Sequence, residues 1–215
     1  MVAAAALQCG AAHASEHALG PPTTALAWRA TLAHPLPRLN PETAPAVLVL
    51  DAHEQQGRCR IKVRLPSRPN TASTWIDADR VRLRTTPWRL VVDRRKRTVT
   101  LLRKGKVVAR RDAVVGTDGT PTPTGLFAIA SVWRNPPTDF LGAWVLPITA
   151  HSDVLKTFDG GDGRVALHGR GGASLNDPLG SAASHGCVRL RNADIAGLVR
   201  RVGVTRLPGT PVRIL

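Results

Sequence analysis

The sequence Ser184-His185-Gly186-Cys187-Val188-Arg189 places one cysteine among small and polar residues, and Val165-Ala166-Leu167-His168-Gly169 precedes it. A cysteine acts as a nucleophile only as its thiolate, and a nearby imidazole can take the thiol proton and later give it to a leaving amine. Backbone N–H groups around Gly186 and Cys187 could hold a developing oxyanion, and a glycine there allows a carbonyl substrate to approach closely. The pattern indicates acyl-transfer chemistry on Cys187 with His168 as its partner, if the fold brings the two together.

Two other interpretations of Cys187 stay open at this point. A lone cysteine is more often a small buried hydrophobic residue, with the neighbouring histidines uninvolved. Zinc binding by His168, His185 and Cys187 is a further alternative, but the wide gap between them and the missing fourth ligand weigh against it. We therefore expect neither a metal nor a cofactor.

The two motifs, whose histidine and cysteine are 19 residues apart, resemble the signature of the L,D-transpeptidase (YkuD-type) catalytic domain. Pro121–Phe127 is similar to the family's TPxG-F turn, and residues 142–147 (GAWVLP) follow in family order. The resemblance begins with the strand pattern near Trp88 and covers residues 87–215. It implies a mainly β, β-sandwich-like domain with one short C-terminal helix.

The resemblance also implies a role for each residue of the motifs. Cys187 would be the acylated nucleophile, and His168 its general base and acid. The backbone carbonyl of Gly169 would orient the His168 ring, and the backbone around Gly186 and Cys187 would form the oxyanion hole. His185 would shape the pocket beside the nucleophile.

Ser184 and Arg189 complete the predicted site as substrate-binding residues. Ser184 is also expected to fix the turn, and Arg189 to anchor either the substrate or the active-site loop. The sequence departs from the family pattern at Leu167, where isoleucine is commoner, and in Gly169–Ala183, which is rich in Gly and Ala without an obvious polar anchor. These departures leave the chemistry intact and leave the details of the substrate open.

The same resemblance supplies the substrate, which is the peptidoglycan stem peptide. It implies that Cys187 opens a donor stem at the carboxyl of an L-centre, forms a thioester and passes it to a D-centre amine, which makes 3-3 cross-links or attaches a protein. Two alternatives stay open: an L,D-carboxypeptidase with water as acceptor, and a non-catalytic wall-binding protein with an inert thiol. Carbapenem-type β-lactams are expected to acylate an activated Cys187 and are candidate inhibitors.

Short apolar runs predict strands throughout the C-terminal domain. A meander and further strands are expected at residues 89–93, 98–102, 107–115, 125–132, 142–148 and 164–167. One helix is predicted, with Asn192 as its N-cap, apolar residues at helical spacing and Gly203 as its stop. A last strand should contain Val212 and Ile214.

Three regions precede this domain. Residues 1–14 are a candidate signal segment, with an apolar run and small residues before a cleavage point but no basic start. Residues 15–45 are rich in proline and predict a linker. Residues 46–85 contain three β-type runs and resemble the SH3-like segments that often precede L,D-transpeptidase domains. No stretch reaches the roughly 18 to 20 apolar residues that a membrane span needs.

The chain is strongly basic, with 30 Lys and Arg against 15 Asp and Glu and a formal net charge of +15. Such a charge favours anionic polymers, although a GC-rich genome also produces it at neutral surface positions. Ten basic residues lie between Arg89 and Arg111 with no interleaved aromatic residue, which argues against nucleic acid as the partner. We expect retention on an anionic cell envelope and an extracytoplasmic location, secreted or wall-associated.

Three smaller features complete the sequence. The cysteines, Cys9, Cys59 and Cys187, offer neither a disulfide framework nor a metal-binding pair. The loop between Trp133 and Trp144 is a candidate lid over the acyl site, with ordinary packing as an equal alternative. A scattered set of potential ligands lacks the spacing of a cation site and predicts a solvated loop; its members are His151, Asp153, Asp159 and Asp162.

Overall fold

Residues 26–215 are described by a computed structural model, and they begin with a five-stranded antiparallel sheet. In its third strand Ile61 and Val63 are buried whereas Lys62 between them is not, and positive φ angles at Gln56 and Gly57 close a two-residue hairpin. The strands are β1 Ala27–Thr31, β2 Ala46–Gln55, β3 Arg58–Arg64, β4 Ser73–Asp77 and β5 Arg82–Thr86. Their order in the sheet is β4-β3-β2-β1-β5.

The proline-rich segment is only in part the linker that the sequence predicts for residues 15–45. β1 lies within it and pairs with β2 and β5, while Leu32, Leu36 and Leu39 are buried in the core of this sheet. Proline breaks the periodicity from which strands are recognised, yet the leucines between the prolines still reach the core. Residues 1–25, with the candidate signal segment, lie outside the described residues. The SH3-like resemblance stays a prediction.

Three further sheets build the C-terminal domain. Its strands are β6 Trp88–Asp93, β7 Thr98–Arg103, β8 Lys106–Asp112, β9 Val115–Gly116, β10 Gly125–Ala128, β11 Trp133–Arg134, β12 Trp144–His151, β13 Arg164–His168, β14 Ala182–Ser184, β15 Val188–Arg189 and β16 Pro211–Ile214. The sheet orders are β10-β16-β6-β7-β8, β11-β12-β13-β15 and β14-β9. Short 3-10 turns occur at Ala78–Arg80, Gly172–Asn176 and Val204–Arg206. The meander and the closing strand are confirmed, and β16 lies inside its sheet, between β10 and β6.

Among residues 26–215 a single α-helix, α1, spans Asn192–Val202. Its apolar stripe packs into the core of the domain, as the helical spacing predicts, through Ile195, Leu198, Val199 and Val202. Gly203 ends the helix with a φ of 90°. The N-cap is Arg191, so the capping role predicted for Asn192 is wrong, because its side chain bonds two loops instead. The mainly β fold with one short helix is confirmed.

The N-terminal sheet packs directly on the larger domain. Arg29 of β1 donates hydrogen bonds to the carbonyl oxygens of Thr205 and Arg206, at 3.0 and 2.7 Å. Leu48 of β2 shares a buried apolar cluster with Ala128 of β10. The two parts of the chain are therefore joined by polar and apolar contacts.

Cys59 of β3 is disulfide-bonded, whereas Cys187 is a free thiol. The cysteine spacing does not predict this cross-link, because connectivity cannot be deduced from spacing alone. Within residues 26–215 no helix is long and apolar enough to cross a membrane.

Candidate active site

Two neighbouring parallel strands bring His168 and Cys187 to one cavity. Where β13 pairs with β15, Leu167 lies opposite Val188 and His168 opposite Arg189. Leu167 and Val188 are both buried in the core, and since side chains alternate along a strand, His168 and Arg189 point to the other face of the sheet. Cys187 immediately precedes β15 and lines the same cavity as His168. Two motifs that are distant in sequence thus share one wall.

Three segments of the chain line this cavity. The loop before β12 contributes Phe140 and Leu141, and the chain from residue 152 to residue 165 contributes six residues. The turn around Cys187 and His168 of β13 contribute the rest. The charged and titratable lining residues within the described chain are the cysteine, two arginines and two histidines, without a carboxylate. The lining is therefore basic rather than acidic, and both of its arginines pair with carboxylates that lie outside the lining.

The His168 ring is held as a neutral base. Its Nδ1 lies 2.7 Å from the carbonyl oxygen of Gly169, and since a carbonyl only accepts, Nδ1 carries the proton and Nε2 keeps its lone pair. Burial lowers the pKa of His168 to about 4, although the hydrogen bond to Gly169 opposes this; the charge of Arg189 lowers it further. His168 can therefore accept a proton throughout the neutral range.

The Cys187 thiol starts protonated. Burial raises the pKa of Cys187, and a backbone hydrogen bond from Ala166 and the positive charge of Arg189 oppose that rise without cancelling it. A backbone hydrogen bond that lowers the pKa of a thiol must be donated to the sulfur, so it comes from the Ala166 N–H. Formation of the nucleophile therefore needs a base at the moment of attack, which is the role predicted for His168.

Ser184 fixes the turn that carries the nucleophile. Its hydroxyl donates to the carbonyl oxygen of Cys187 at 2.6 Å and accepts the Gly186 N–H at 3.1 Å, and Ser184 is 1% exposed. The substrate-binding role predicted for Ser184 is therefore replaced by a structural one, because its hydroxyl is buried and engaged. Gly186 has a φ of 115°, which favours glycine. The Gly186 N–H is already bonded within the turn. The Cys187 N–H therefore remains the predicted hydrogen-bond donor to the oxyanion.

Arg189 is anchored beside the cavity by an acidic partner. Its guanidinium pairs with the carboxylate of Asp177 and lies 4.9 Å from the centre of the Phe140 ring. The loop that carries Asp177 is held in turn by Arg170, which donates to the carbonyl oxygens of Leu175 and Asp177. The sequence predicts no polar anchor in this loop, and that prediction is wrong, because the partners of these side chains are set by the tertiary fold. Arg189 serves as the loop anchor that was one of its two predicted roles.

Asn192 joins three segments behind the site. Its Oδ1 accepts the backbone N–H groups of Ala143 and Arg170, both at 3.0 Å, and its Nδ2 donates to the carbonyl oxygens of Arg170 at 2.8 Å and Pro137 at 3.2 Å. A side chain at Gly169 would not fit, because a Cβ there would lie 2.1 Å from Oδ1 of Asn192. Sequence reasoning missed this role because an asparagine before a helical pattern indicates a cap first.

His185 lies at the mouth of the cavity, where it is exposed. Its ring faces that of Phe158 with the ring centroids 5.1 Å apart, and both residues line the cavity. This position fits the pocket-shaping role predicted for His185.

The candidate lid contributes to the cavity through only part of its length. Phe140 and Leu141 line the cavity, whereas Trp133 and Trp144 flank the loop in paired strands and do not. Trp144 instead packs against Arg134, whose guanidinium carbon lies 5.4 Å from the Trp144 ring centre.

The loop after β12 is exposed at Asp153, Asp159 and Asp162, as the sequence predicts, whereas His151 is the last residue of β12 and is buried. His151 is 1% exposed, and its Nε2 lies 3.0 Å from Oδ2 of Asp162. Burial lowers the pKa of His151. Partial burial would raise the pKa of Asp162, but hydrogen bonds from Arg164 and His151 outweigh it and lower that pKa to about 2. In the described part of the chain, no group of three or more His, Cys, Asp and Glu residues could hold a metal ion.

The fold and the cavity define a mainly β domain in which two parallel strands present a neutral histidine and a free cysteine. Residues 87–214 match the family model of the YkuD L,D-transpeptidase catalytic domain, so the chain belongs to this family. The predicted family membership is confirmed.

Two Bacillus proteins, both named provisionally as the L,D-transpeptidase YkuD, are similar in sequence. The Bacillus licheniformis protein is 30% identical over 128 residues, which are 59% of this chain and 68% of that protein. The Bacillus subtilis protein is 30% identical over 116 residues, which are 53% of this chain and 60% of that protein.

Solved structures of L,D-transpeptidases are more distant. The Mycobacterium tuberculosis H37Rv crystal structure is 16% identical with a TM-score of 0.46, covering 74% of this chain and 90% of that one. The Enterococcus faecium catalytic domain, solved by NMR, is 20% identical with a TM-score of 0.44, covering 60% and 96%. LdtMt1 in complex with imipenem is 19% identical with a TM-score of 0.44, covering 74% and 68%.

Proposed function

We propose that this chain is a cysteine acyltransferase that acts on peptidoglycan stem peptides as an L,D-transpeptidase. One observation carries the proposal: the neutral His168 and the free thiol of Cys187 line the same cavity in a domain of this family. An imidazole that is unprotonated at neutral pH and a thiol that needs a base complement each other.

The reaction follows from these two groups. Nε2 of His168 takes the thiol proton while Sγ of Cys187 attacks the donor carbonyl carbon at an L-centre. The Cys187 N–H stabilises the oxyanion, the C–N bond breaks, and His168 gives its proton to the leaving amine. A D-centre amine then loses a proton to His168 and attacks the thioester, which transfers the acyl group and restores the thiol.

The acceptor decides between the proposed activity and its first alternative. Water in place of the amine would hydrolyse the thioester, and the enzyme would be an L,D-carboxypeptidase. We favour the amine because the cavity wall is partly apolar, with Phe140, Leu141, Leu155 and Phe158, and such a wall limits the access of water to a thioester.

Two further proposals accompany the activity. Carbapenem-type β-lactams should acylate Cys187, since their strained ring offers a carbonyl carbon to the same thiolate. The enzyme should work outside the cytoplasm, retained on anionic envelope polymers, because its net charge is +15 and its proposed substrate lies there.

Purified protein incubated with disaccharide-tetrapeptides tests the proposal by mass spectrometry of the products. The expected products are 3-3 linked dimers and a free D-amino acid. Tripeptide products without dimers would replace the transpeptidase by the carboxypeptidase. Unchanged tetrapeptide together with an unlabelled Cys187 after carbapenem treatment would favour the non-catalytic wall-binding protein. Cys187→Ala protein is the control for products that do not depend on the thiol.

A further inference from the structure

One wall of the cavity is a long loop with little packing of its own. The chain from residue 152 to residue 163 connects β12 to β13 and contributes Ser152, Leu155, Phe158 and Gly163 to the cavity lining. Phe158 is 47% exposed although its ring meets His185 at the mouth of the cavity. A loop with so few buried contacts needs other bonds to hold a fixed position.

Those bonds come from the N-terminal sheet, through Arg68. Its Nη1 donates to the carbonyl oxygen of Ser152 at 2.7 Å, and its Nη2 donates to those of Leu155 at 2.9 Å and Asp162 at 3.0 Å. One guanidinium thus holds the loop at its start, in its middle and at its end. A planar guanidinium with five N–H groups suits this task, and hydrogen bonds from a charged donor are stronger than neutral ones.

Asn70 adds a second attachment on the same side. Its Oδ1 accepts the His151 N–H at 2.8 Å, and its Nδ2 donates to the His151 carbonyl oxygen at 2.8 Å and to Oδ1 of Asp153 at 2.9 Å. In the opposite direction, Arg164 donates to the carbonyl oxygen of Pro66 at 2.9 Å. The turn of residues 66–70 and the two ends of the wall loop are therefore bonded reciprocally.

The loop is also shaped to receive Arg68. Gly163 has a φ of 71°, and a Cβ there would lie 2.2 Å from the carbonyl oxygen of Leu155 and 3.0 Å from Nη2 of Arg68. A side chain at Gly163 would therefore displace the guanidinium and the loop together.

We propose that the turn of residues 66–70 is a positioning element for the substrate cavity, with Arg68 and Asn70 as its positioning residues. Neither residue touches the reacting atoms. Each fixes the position of the loop of residues 152–163, so that Leu155 and Phe158 line the cavity near His185. The inference concerns how the N-terminal sheet takes part in substrate binding, and in that respect it rests on the proposed function.

The first test measures opening of the loop and does not depend on enzymatic activity. Lys156 is exposed within the loop, so cleavage after Lys156 by a lysine-specific protease, followed by mass spectrometry, reports loop opening. We expect Arg68→Ala to raise the cleavage rate by about tenfold, because it removes three charge-assisted hydrogen bonds. Arg60→Ala is the matched control, since Arg60 bonds Trp75 and Asp77 within the N-terminal sheet only and should leave the rate unchanged. Equal cleavage of all three proteins would overturn the inference.

The second test separates loop position from the chemistry. Arg68→Ala and Asn70→Ala should each raise the KM for the tetrapeptide donor by about tenfold with kcat nearly unchanged, because substrate binding depends on the wall. Alkylation of Cys187 by iodoacetamide, which is too small to need the wall, should stay within about twofold of the parent rate. Arg68→Lys keeps one charge but lacks the guanidinium fork, so it should behave like Arg68→Ala.

The two proposals fail in different ways. A parent protein that neither turns over tetrapeptide nor reacts with carbapenem contradicts the proposed function, and the protease test still decides the role of Arg68. A parent that turns over tetrapeptide with the same KM as its Arg68→Ala and Asn70→Ala variants contradicts the positioning role alone.

Discussion

The carbonyl oxygen of Gly169 lies 2.7 Å from Nδ1 of His168, so the residue directly after the histidine fixes the tautomer of its ring. The same segment is clamped from behind by Asn192, which bonds both backbone groups of Arg170. The orientation of the base is therefore set by backbone groups that a substitution of nearby surface side chains would leave in place.

Replacement of Cys187 should abolish acylation and leave the fold intact. We expect Cys187→Ala to abolish acylation by tetrapeptide and by carbapenem, because the thioester cannot form. Its thermal unfolding midpoint should stay close to that of the parent, since the change removes one sulfur atom beside a cavity and Cys187 is not part of the apolar core. The measurements are intact-protein mass spectrometry and circular dichroism. An acylated Cys187→Ala protein would rule out the thioester on this residue.

The two histidines of the cavity should differ in their effect on rate. We expect His168→Ala to slow acylation by about 10²- to 10⁴-fold, the usual contribution of a general base. His185→Ala should cost less, because His185 contacts Phe158 at the mouth and only shapes the pocket. Pre-steady-state acylation by a chromogenic donor measures both. If the His185 variant is the slower of the two, the roles must be exchanged.

On the acid side, the acylation rate should decrease only at an unusually low pH. Burial holds the pKa of His168 at about 4, below its ordinary 6.5, so the base stays competent as the pH falls through 6. We expect acylation by carbapenem at pH 5.5 to keep at least about half its rate at pH 7. A rate that halves near pH 6.5 would show that the working base has an ordinary imidazole pKa.

Stability should also depend on His168, with a definite sign. Between pH 6.5 and pH 4 the unfolded chain binds a proton at His168 that the folded chain does not bind. The free energy of unfolding is therefore highest above pH 6.5 and decreases as the pH falls from 6.5 to 4. The decrease is at most about 1.4 kcal/mol per pH unit. Urea unfolding of the parent and of His168→Gln at pH 7, 6, 5 and 4 tests this. The variant should show the smaller pH dependence; equal dependence would contradict the assignment.

Asn192 should matter to both stability and rate. Asn192→Ala removes four hydrogen bonds to the two loops that contain Ala143 and Arg170 and leaves partly buried backbone groups unpaired, so we expect a loss of about 2 to 4 kcal/mol in the free energy of unfolding. Acylation should slow as well, because Gly169 loses its support. Asn176→Ala, at an exposed position, is the matched control and should change the unfolding free energy by less than about 0.5 kcal/mol.

The sequence predicted what depends on local pattern. The strands of the meander, the helix stripe and the pair of His168 and Cys187 each follow from periodicity or from a compact motif. What it missed depends on contacts between distant segments. The anchoring of Arg189 by Asp177 and the bridge made by Asn192 are examples, because no spacing rule says which loops will meet. The strand β1 was not predicted for another reason. The prolines around it disturb the alternation of apolar and polar residues by which a strand is recognised.

The position of β16 in its sheet has a consequence for how the chain folds. Val212 pairs with Leu90 in one neighbouring strand and with Phe127 in the other, so β16 joins two strands that are both remote from it in sequence. Such pairing between remote segments forms late and slowly during folding. Until β16 pairs, β10 and β6 are not joined, and the core that Val212 and Ile214 share with Leu167 and Val188 is incomplete. We therefore expect the paired arrangement of His168 and Cys187 to become stable only after β16 has closed this core.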